Sequence, residues 1–241
     1  MSNKKIAIFV EGETEAEFIS KLLQEIAGQH NISITTEKYQ GGKNTLRIAT
    51  RLSQIIRTST QYEAWIYISG TDNRVNSDMG DQSNSLIPSG FIKVIGLKDL
   101  RGDNRKLSDL PKMELASKVT EKKCHPLSAH IIIAVMEIET WFLAETNHYK
   151  DIDTNLTKSK VIENISILGF NPYEEDLTLT RPEPAEDLHN LYSLVEKSYK
   201  KSANHRKRTI NALDYPDIYC NLKNRIIKLG DLVNEIDSFL N

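Results

Sequence analysis

The chain has 241 residues, a hydrophobic share of 39% and nearly balanced charge, 31 lysines and arginines against 33 aspartates and glutamates. That is enough for a real core in one large domain or one domain with an appendage, and a sequence pI near 6.3 excludes the global basic field of a small nucleic-acid binder, so any nucleic-acid contact must be local. Cys124 and Cys220 have no paired spacing, no apolar run approaches the roughly 20 residues of a membrane span, and Met1 to Lys5 leads into a short apolar strand rather than a signal-peptide core; the chain reads as a soluble, cytoplasmic protein.

Residues 5–10 form a short, bounded run of β-branched and aromatic side chains, which predicts a buried strand. Thr14 is placed to cap a helix in which Phe18, Ile19, Leu22, Leu23 and Ile26 recur at helical spacing up to Gly28. Residues 32–39 alternate as a second strand, Gly41 and Gly42 turn, and 46–56 read as an amphipathic helix with Arg47, Arg51 and Arg57 outside. A third strand covers 64–69, the polar stretch 76–89 carries a short helix at best, and a fourth strand covers 91–97. Residues 107–122 are helical in part, and 130–136 form the fifth strand. This alternation predicts an α/β fold over residues 1–145, a mostly parallel sheet with flanking helices. From 146 to 241 no clear strand follows. Amphipathic helices at 158–168, 185–199, 218–229 and 232–240, punctuated by Pro172, Pro182 and Pro184, predict a helical C-terminal subdomain or appendage.

Four of the predicted strands run into carboxylates: Glu11, with Glu13 and Glu15 behind it, then Asp72, Asp99 and Glu137. Acids exported to the crevice beyond the carboxyl ends of parallel strands meet there, which is what a magnesium-dependent phosphoryl-transfer site needs. Three acids in one strand-to-helix turn repel unless a cation or proton relieves them; favourable charge at a helix N-terminus is the plainer reading, and Asp72 fits an ordinary cap. Hard Mg²⁺ takes one or two carboxylates and keeps several waters, so an expected exposed Asp99, Glu11 and one more acid, Asp103 or Glu137, would hold an ion. Arg101 could equally fill the vacancy and leave a metal-free phosphate pocket. Glu137 and Glu139 share a face if the fifth strand persists and diverge if a helix has begun; Trp141 and Phe142 read as packing residues. The run from Lys197 to Arg208 carries Lys197, Lys200, Lys201, Arg206, Lys207 and Arg208 with no acid, a pattern that fits phosphates of a nucleic acid, an acidic partner or a solvated helix end. No phosphate-binding Gly-rich loop and no dinucleotide fingerprint occur, and Cys124, His125 and His130 make no zinc frame.

The segment Ile8-Phe9-Val10-Glu11-Gly12-Glu13-Thr14-Glu15-Ala16-Glu17-Phe18 resembles the first motif of the Toprim domain, shared by topoisomerases, primases and nucleases of the overcoming-lysogenisation-defect type. Within it the chain is most similar to a bacterial Toprim-like family of the domain of unknown function 4276 type, over about residues 4–145 and faintly the tail. The second Toprim motif, Asp-x-Asp, is met by Asp99 but broken by Arg101. The segment from Ala134 to Glu145 is similar to one of that family in which acids precede an aromatic pair. The resemblance implies Mg²⁺ or Mn²⁺, held by some of Glu11, Asp99, Glu137, Glu139 and Asp103, with Glu11 and Asp99 catalytic and Glu15 as a further candidate. It also implies nucleic-acid phosphodiester cleavage, a part in bacterial defence against phage, and a separate ATPase partner. The alternative is a non-catalytic binding or regulatory module of an ATPase complex with a degenerate site; a small-molecule phosphotransferase is a third reading.

Overall fold

The computed structural model describes residues 3–42, 45–58, 60–100, 106–174 and 176–241. Strands β1 (Lys4–Val10), β2 (Ser33–Gly42), β3 (Thr45–Ile55), β4 (Tyr62–Ile68), β5 (Phe91–Asp99) and β6 (Ser128–Ala134) form one sheet in the order β3-β2-β4-β1-β5-β6. Every neighbour pair is parallel except β2 with β3. The protein is therefore α/β, with a mixed, mostly parallel sheet, flanking helices and a C-terminal helical region.

β1 lies at the centre because it can be buried on both faces: Ile6 through Val10 have no exposed surface, as a continuous apolar run in a covered parallel sheet requires. Ile6, Ile8 and Val10 point to one face and Ala7 and Phe9 to the other, by the two-residue period of a strand. On the second face lie α2 (Asp72–Leu86) and α3 (Leu110–Lys123). The first face carries α1 (Glu13–Ala27) and the C-terminal helices: α4 (Glu139–Ala144), α5 (Tyr149–Ile152), α6 (Lys158–Glu163), α7 (Ile165–Leu168), α8 (Leu177–Thr180), α9 (Pro184–Ser193), α10 (Ala203–Ala212), α11 (Tyr215–Cys220) and α12 (Ile227–Leu240). One continuous core runs from Ile6 and Ile8 to Leu229, Leu232 and Phe239, so the helical region seals the sheet rather than hanging from it. The Tyr62 hydroxyl donates to the Leu240 carbonyl at 2.6 Å, and Lys93 pairs with Glu235 at 2.6 Å. Among the described residues no helix is long and apolar enough to cross a membrane.

Several elements differ from the sequence expectation. Residues 46–56 are not a helix but β3, paired antiparallel with β2; their leucines and isoleucines fit helical spacing, yet Thr45, Ile48, Thr50 and Ile55 are β-branched and the neighbouring strand supplies a ladder. A bulge of the ladder falls between Thr36 and Glu37. The polar stretch expected to hold a short helix at best is the 15-residue α2, because Val75, Met79 and Leu86 form a buried stripe that outweighs weak propensity. The expected helix 158–168 divides at Asn164 into α6 and α7, 185–199 stops at Ser193, and 218–229 is replaced by α11, a short 3₁₀ turn and the start of α12. Helix α10, which begins within the basic run and extends beyond it, has no counterpart in the sequence expectation, and α1 starts behind Gly12 rather than Thr14.

Gly96 of β5 lets α2 approach: a Cβ there would stand 2.9 Å from Ile131 Cγ1 and 3.3 Å from both Met79 Sδ and Val75 Cγ1. Gly96→Ala should cost about 1–3 kcal/mol by overpacking, read as a lower urea midpoint with an unchanged slope. An unchanged midpoint would show that this contact is loose.

Candidate functional site

β1, β4, β5 and β6 run parallel, so their carboxyl ends share one edge of the sheet. Glu11 directly follows β1 and is half-buried; Asp99 is the last residue of β5 and 4% exposed; Glu137 and Glu139 follow β6 and are 9% and 0% exposed. Glu15 completes the cluster from the first turn of α1, with 4% exposure. Asp99 is thus a buried acid, against the expectation of an exposed one. The strand stops at Ala134, so Glu137 and Glu139 do not share a strand face; they are brought to the crevice by a turn in which Met136 has φ 62°. A non-glycine residue in the left-handed region costs of order 1–3 kcal/mol, and here the kink aims the Ile138 N–H at Asp99 Oδ1, 3.1 Å away.

Backbone donors hold the acids in place. The Gly12 N–H donates to Glu15 Oε2 at 2.8 Å, where a side chain on residue 12 would intrude, its Cβ falling 3.0 Å from that oxygen. The Asp99 N–H faces Glu11 Oε2 at 3.4 Å, a long contact. Two side chains reach in from the segment between α9 and α10: the Tyr199 hydroxyl donates to Glu139 Oε1 at 2.9 Å, and Lys201 Nζ lies 3.2 Å from Glu137 Oε1 and 3.5 Å from Glu139 Oε1. Glu139 Oε2 is buried and, among the described residues, has no hydrogen-bond partner.

Burial and mutual repulsion set the electrostatics. Asp99 is raised well above the usual carboxylate range, first by burial and then by Glu15, Glu139 and Glu11, with Lys201 opposing. Glu15 is raised by burial, against the pull of backbone donors and Lys201. Burial pushes Glu139 up to about 7, with Glu137 and Glu15 adding and Lys201 and Tyr199 opposing. Burial alone would lower the Lys201 ammonium, but Glu139, Glu137, Asp99 and Glu15 raise it above its ordinary value. Its side chain remains 46% exposed, so solvent screens these pairs.

Other sequence-derived candidates lie elsewhere. Glu13 points away from the cluster to Lys38 and Arg206, at 2.9 and 2.8 Å, and the Lys38 hydrogen bond leads the charges that lower its pKa. Asp72 begins α2, but its side chain, like Arg101 and Asp103 entire, lies outside the described residues. The basic run is not one outward strip. Lys197 meets Asp153 at 3.6 Å; Lys201 turns into the acid cluster; Arg206 is buried between Glu13 and Glu17 at 2.8 and 2.9 Å; Arg208 donates to the Ser198 carbonyl and covers the Tyr192 ring. Lys200 and Lys207 stay exposed. Sequence reasoning missed Lys201 and Tyr199 as members of the cluster; the available signal was six cations with no local acid, which must find carboxylates at long range or remain solvated.

The donor set is all carboxylate oxygen, the chemistry a hard divalent cation prefers, and among the described residues Glu139 Oε2 is left without a hydrogen-bond partner. The side-chain positions are not those of a formed metal centre: among the described residues no group of three or more His, Cys, Asp or Glu is gathered to hold an ion. Residues 10–219 match the model of a family described as domain of unknown function (DUF4276). No curated protein and no solved structure matches the chain.

Glu139 gives stability a pH signature. Below about 4.5, its ordinary value, Glu139 is protonated in folded and unfolded chains alike and its contribution is fully present; as pH rises through about 7 that contribution is lost, amounting to at most about 3 kcal/mol. Urea midpoints of the wild type should therefore fall more steeply than those of Glu139→Gln between pH 4.5 and 7.5. Parallel curves would contradict the raised carboxyl.

Proposed function

The chain belongs to the DUF4276 family, and from that membership, the resemblance of its first motif to Toprim domains and the acid cluster we propose that it is a Toprim-like, Mg²⁺-dependent phosphodiesterase acting on nucleic acid. The observation that carries the reading is the convergence of Glu11, Glu15, Asp99, Glu137 and Glu139 at one sheet edge, three of them with carboxyls raised by burial and each other. Buried like charges of this kind are unfavourable for folding, and strongly perturbed carboxyls cluster at functional sites.

Asp99, Glu137 and Glu139 would hold the divalent ion, with Glu15 supporting them from α1. When bound, the ion would neutralise charge developing on the phosphate and ease deprotonation of the attacking water. Glu11, the most accessible acid of the set, would take the proton from that water or return it to the leaving oxygen. Gly12, Asp99 and Ile138 N–H groups keep Glu15, Glu11 and Asp99 oriented without reorganisation during the reaction. Lys200 and Lys207, exposed beside the cluster-bound Lys201 and the buried Arg206, are the members of the basic run open to phosphates. A role in defence against phage and an ATPase partner are supported by the resemblance alone.

A second reading, a binding or regulatory module without catalysis, is favoured by one observation: Lys201 already supplies positive charge to Glu137 and Glu139. Incubating the protein with single- and double-stranded DNA and RNA in Mg²⁺ or Mn²⁺ separates the two. Cleavage is expected, and Asp99→Asn should lower its rate by at least about a hundredfold. Its melting temperature should hold or rise, because asparagine can still accept the Ile138 N–H and removes a destabilised charge. No cleavage of any of the four substrates by the wild type would favour the silent module. A large loss of melting temperature in Asp99→Asn would mark Asp99 as structural.

A further inference from the structure

The segment between α9 and α10 is anchored on both sides of Lys201. Tyr199, 3% exposed, takes the His189 ring nitrogen with its N–H at 3.3 Å and Glu139 with its hydroxyl. Arg206, 6% exposed, fixes the start of α10 to Glu13 and Glu17 of α1 and also donates to the Lys201 carbonyl at 3.4 Å. Between these buried anchors the Lys201 side chain alone spans from backbone to cluster with nearly half its surface in water. Its ammonium can therefore leave Glu137 and Glu139 by rotation of its own stem, with Tyr199 and Arg206 staying packed. Lysine suits this use, being a compact, strongly hydrated charge on four rotatable carbons.

We infer that Lys201 is an internal counter-cation that competes with a divalent ion for the acid cluster, so that the ammonium must leave Glu137 and Glu139 before the ion can bind there. The inference rests on the reading of the cluster as a divalent-cation site. It accounts for the fact that, among the described residues, carboxylates of the right chemistry are not gathered as a metal centre: Glu137 and Glu139 face Lys201, while Glu15 and Asp99 face backbone N–H groups. An ammonium and a divalent ion on the same two carboxylates would repel at a few ångströms, and one would expel the other. The apparent dissociation constant of the ion would then be raised by a factor set by how firmly Lys201 holds its two acids.

The test uses the full chain and Mn²⁺ alone as the probe, at pH 8. Mn²⁺ affinity is measured by calorimetry for the wild type, Lys201→Met, which keeps the stem and removes the charge, and Lys200→Met as a neighbouring control. Lys201→Met should bind at least about fivefold more tightly, and Lys200→Met should match the wild type. Independently of any variant, mass-spectrometric acylation of the wild type should show Lys201 reacting faster with Mn²⁺ present than without, while Lys200 reacts alike in both. Mn²⁺ binding that is unchanged or weaker in Lys201→Met, with Lys201 acylation unaffected by Mn²⁺, overturns the competition and leaves the divalent site standing. Failure of both the wild type and Lys201→Met to bind Mn²⁺ overturns the divalent site and the competition together.

Discussion

Carboxylates that end parallel strands cannot avoid one another. Glu11 and Asp99 leave adjacent strands of the same sheet edge, and the turn after β6 adds Glu137 and Glu139 beside them. Taking several negative charges out of water together is among the costliest arrangements a fold can contain, so much of the surrounding architecture answers it. The left-handed Met136 turns the Ile138 N–H toward Asp99, Gly12 delivers an N–H to Glu15 where a Cβ would stand 3.0 Å from the carboxylate oxygen, and the α9–α10 segment delivers a hydroxyl and an ammonium to Glu139.

This explains why the helical region is part of the site and not only cover for the sheet. Tyr199 and Lys201 come from sixty residues or more beyond Glu139 in the chain, and they arrive in position because α9 and α10 are themselves packed. Below them runs a fully buried relay: His148 bonds Glu145 on one side and the Tyr192 hydroxyl, at 2.7 Å, on the other, and Tyr192 continues to Thr209 at 3.3 Å. That chain of polar contacts fastens α9 and α10 to the turn after α4, and every member is satisfied, which is the condition under which buried polar groups specify one arrangement.

The parts of the fold that were legible in the sequence are those decided by local burial pattern. β1, β5 and β6 carry apolar runs at residues 6–10, 94–97 and 131–134, and the acids that follow them could be placed at one edge from parallel topology alone. β3 was misread because Leu46, Ile48 and Leu52 satisfy helical and strand periods equally, and only β2 across the ladder decides between them. α2 was underestimated because its sequence is mostly Asn, Ser and Asp, and the sheet beneath supplies the stability that propensity does not. For the site, residue types at strand ends announced Glu11 and Asp99. Nothing within a dozen residues of Lys201 announces its partners, since pairing across 64 residues is a property of the packed chain.

Burial of the sheet's first face by α12 has a consequence for synthesis. Ile6, Ile8, Ile66 and Ile68 share their core with Leu232, Val233, Ile236 and Phe239, so β1 and β4 leave the ribosome long before the residues that shelter them. At roughly 5–20 residues per second the central strands wait on the order of ten to forty-five seconds for residues 227–240. Over that interval their apolar side chains are open to whatever else is nearby. Synonymous changes that slow translation between β4 and α12 would lengthen that interval without altering a single residue of the finished protein.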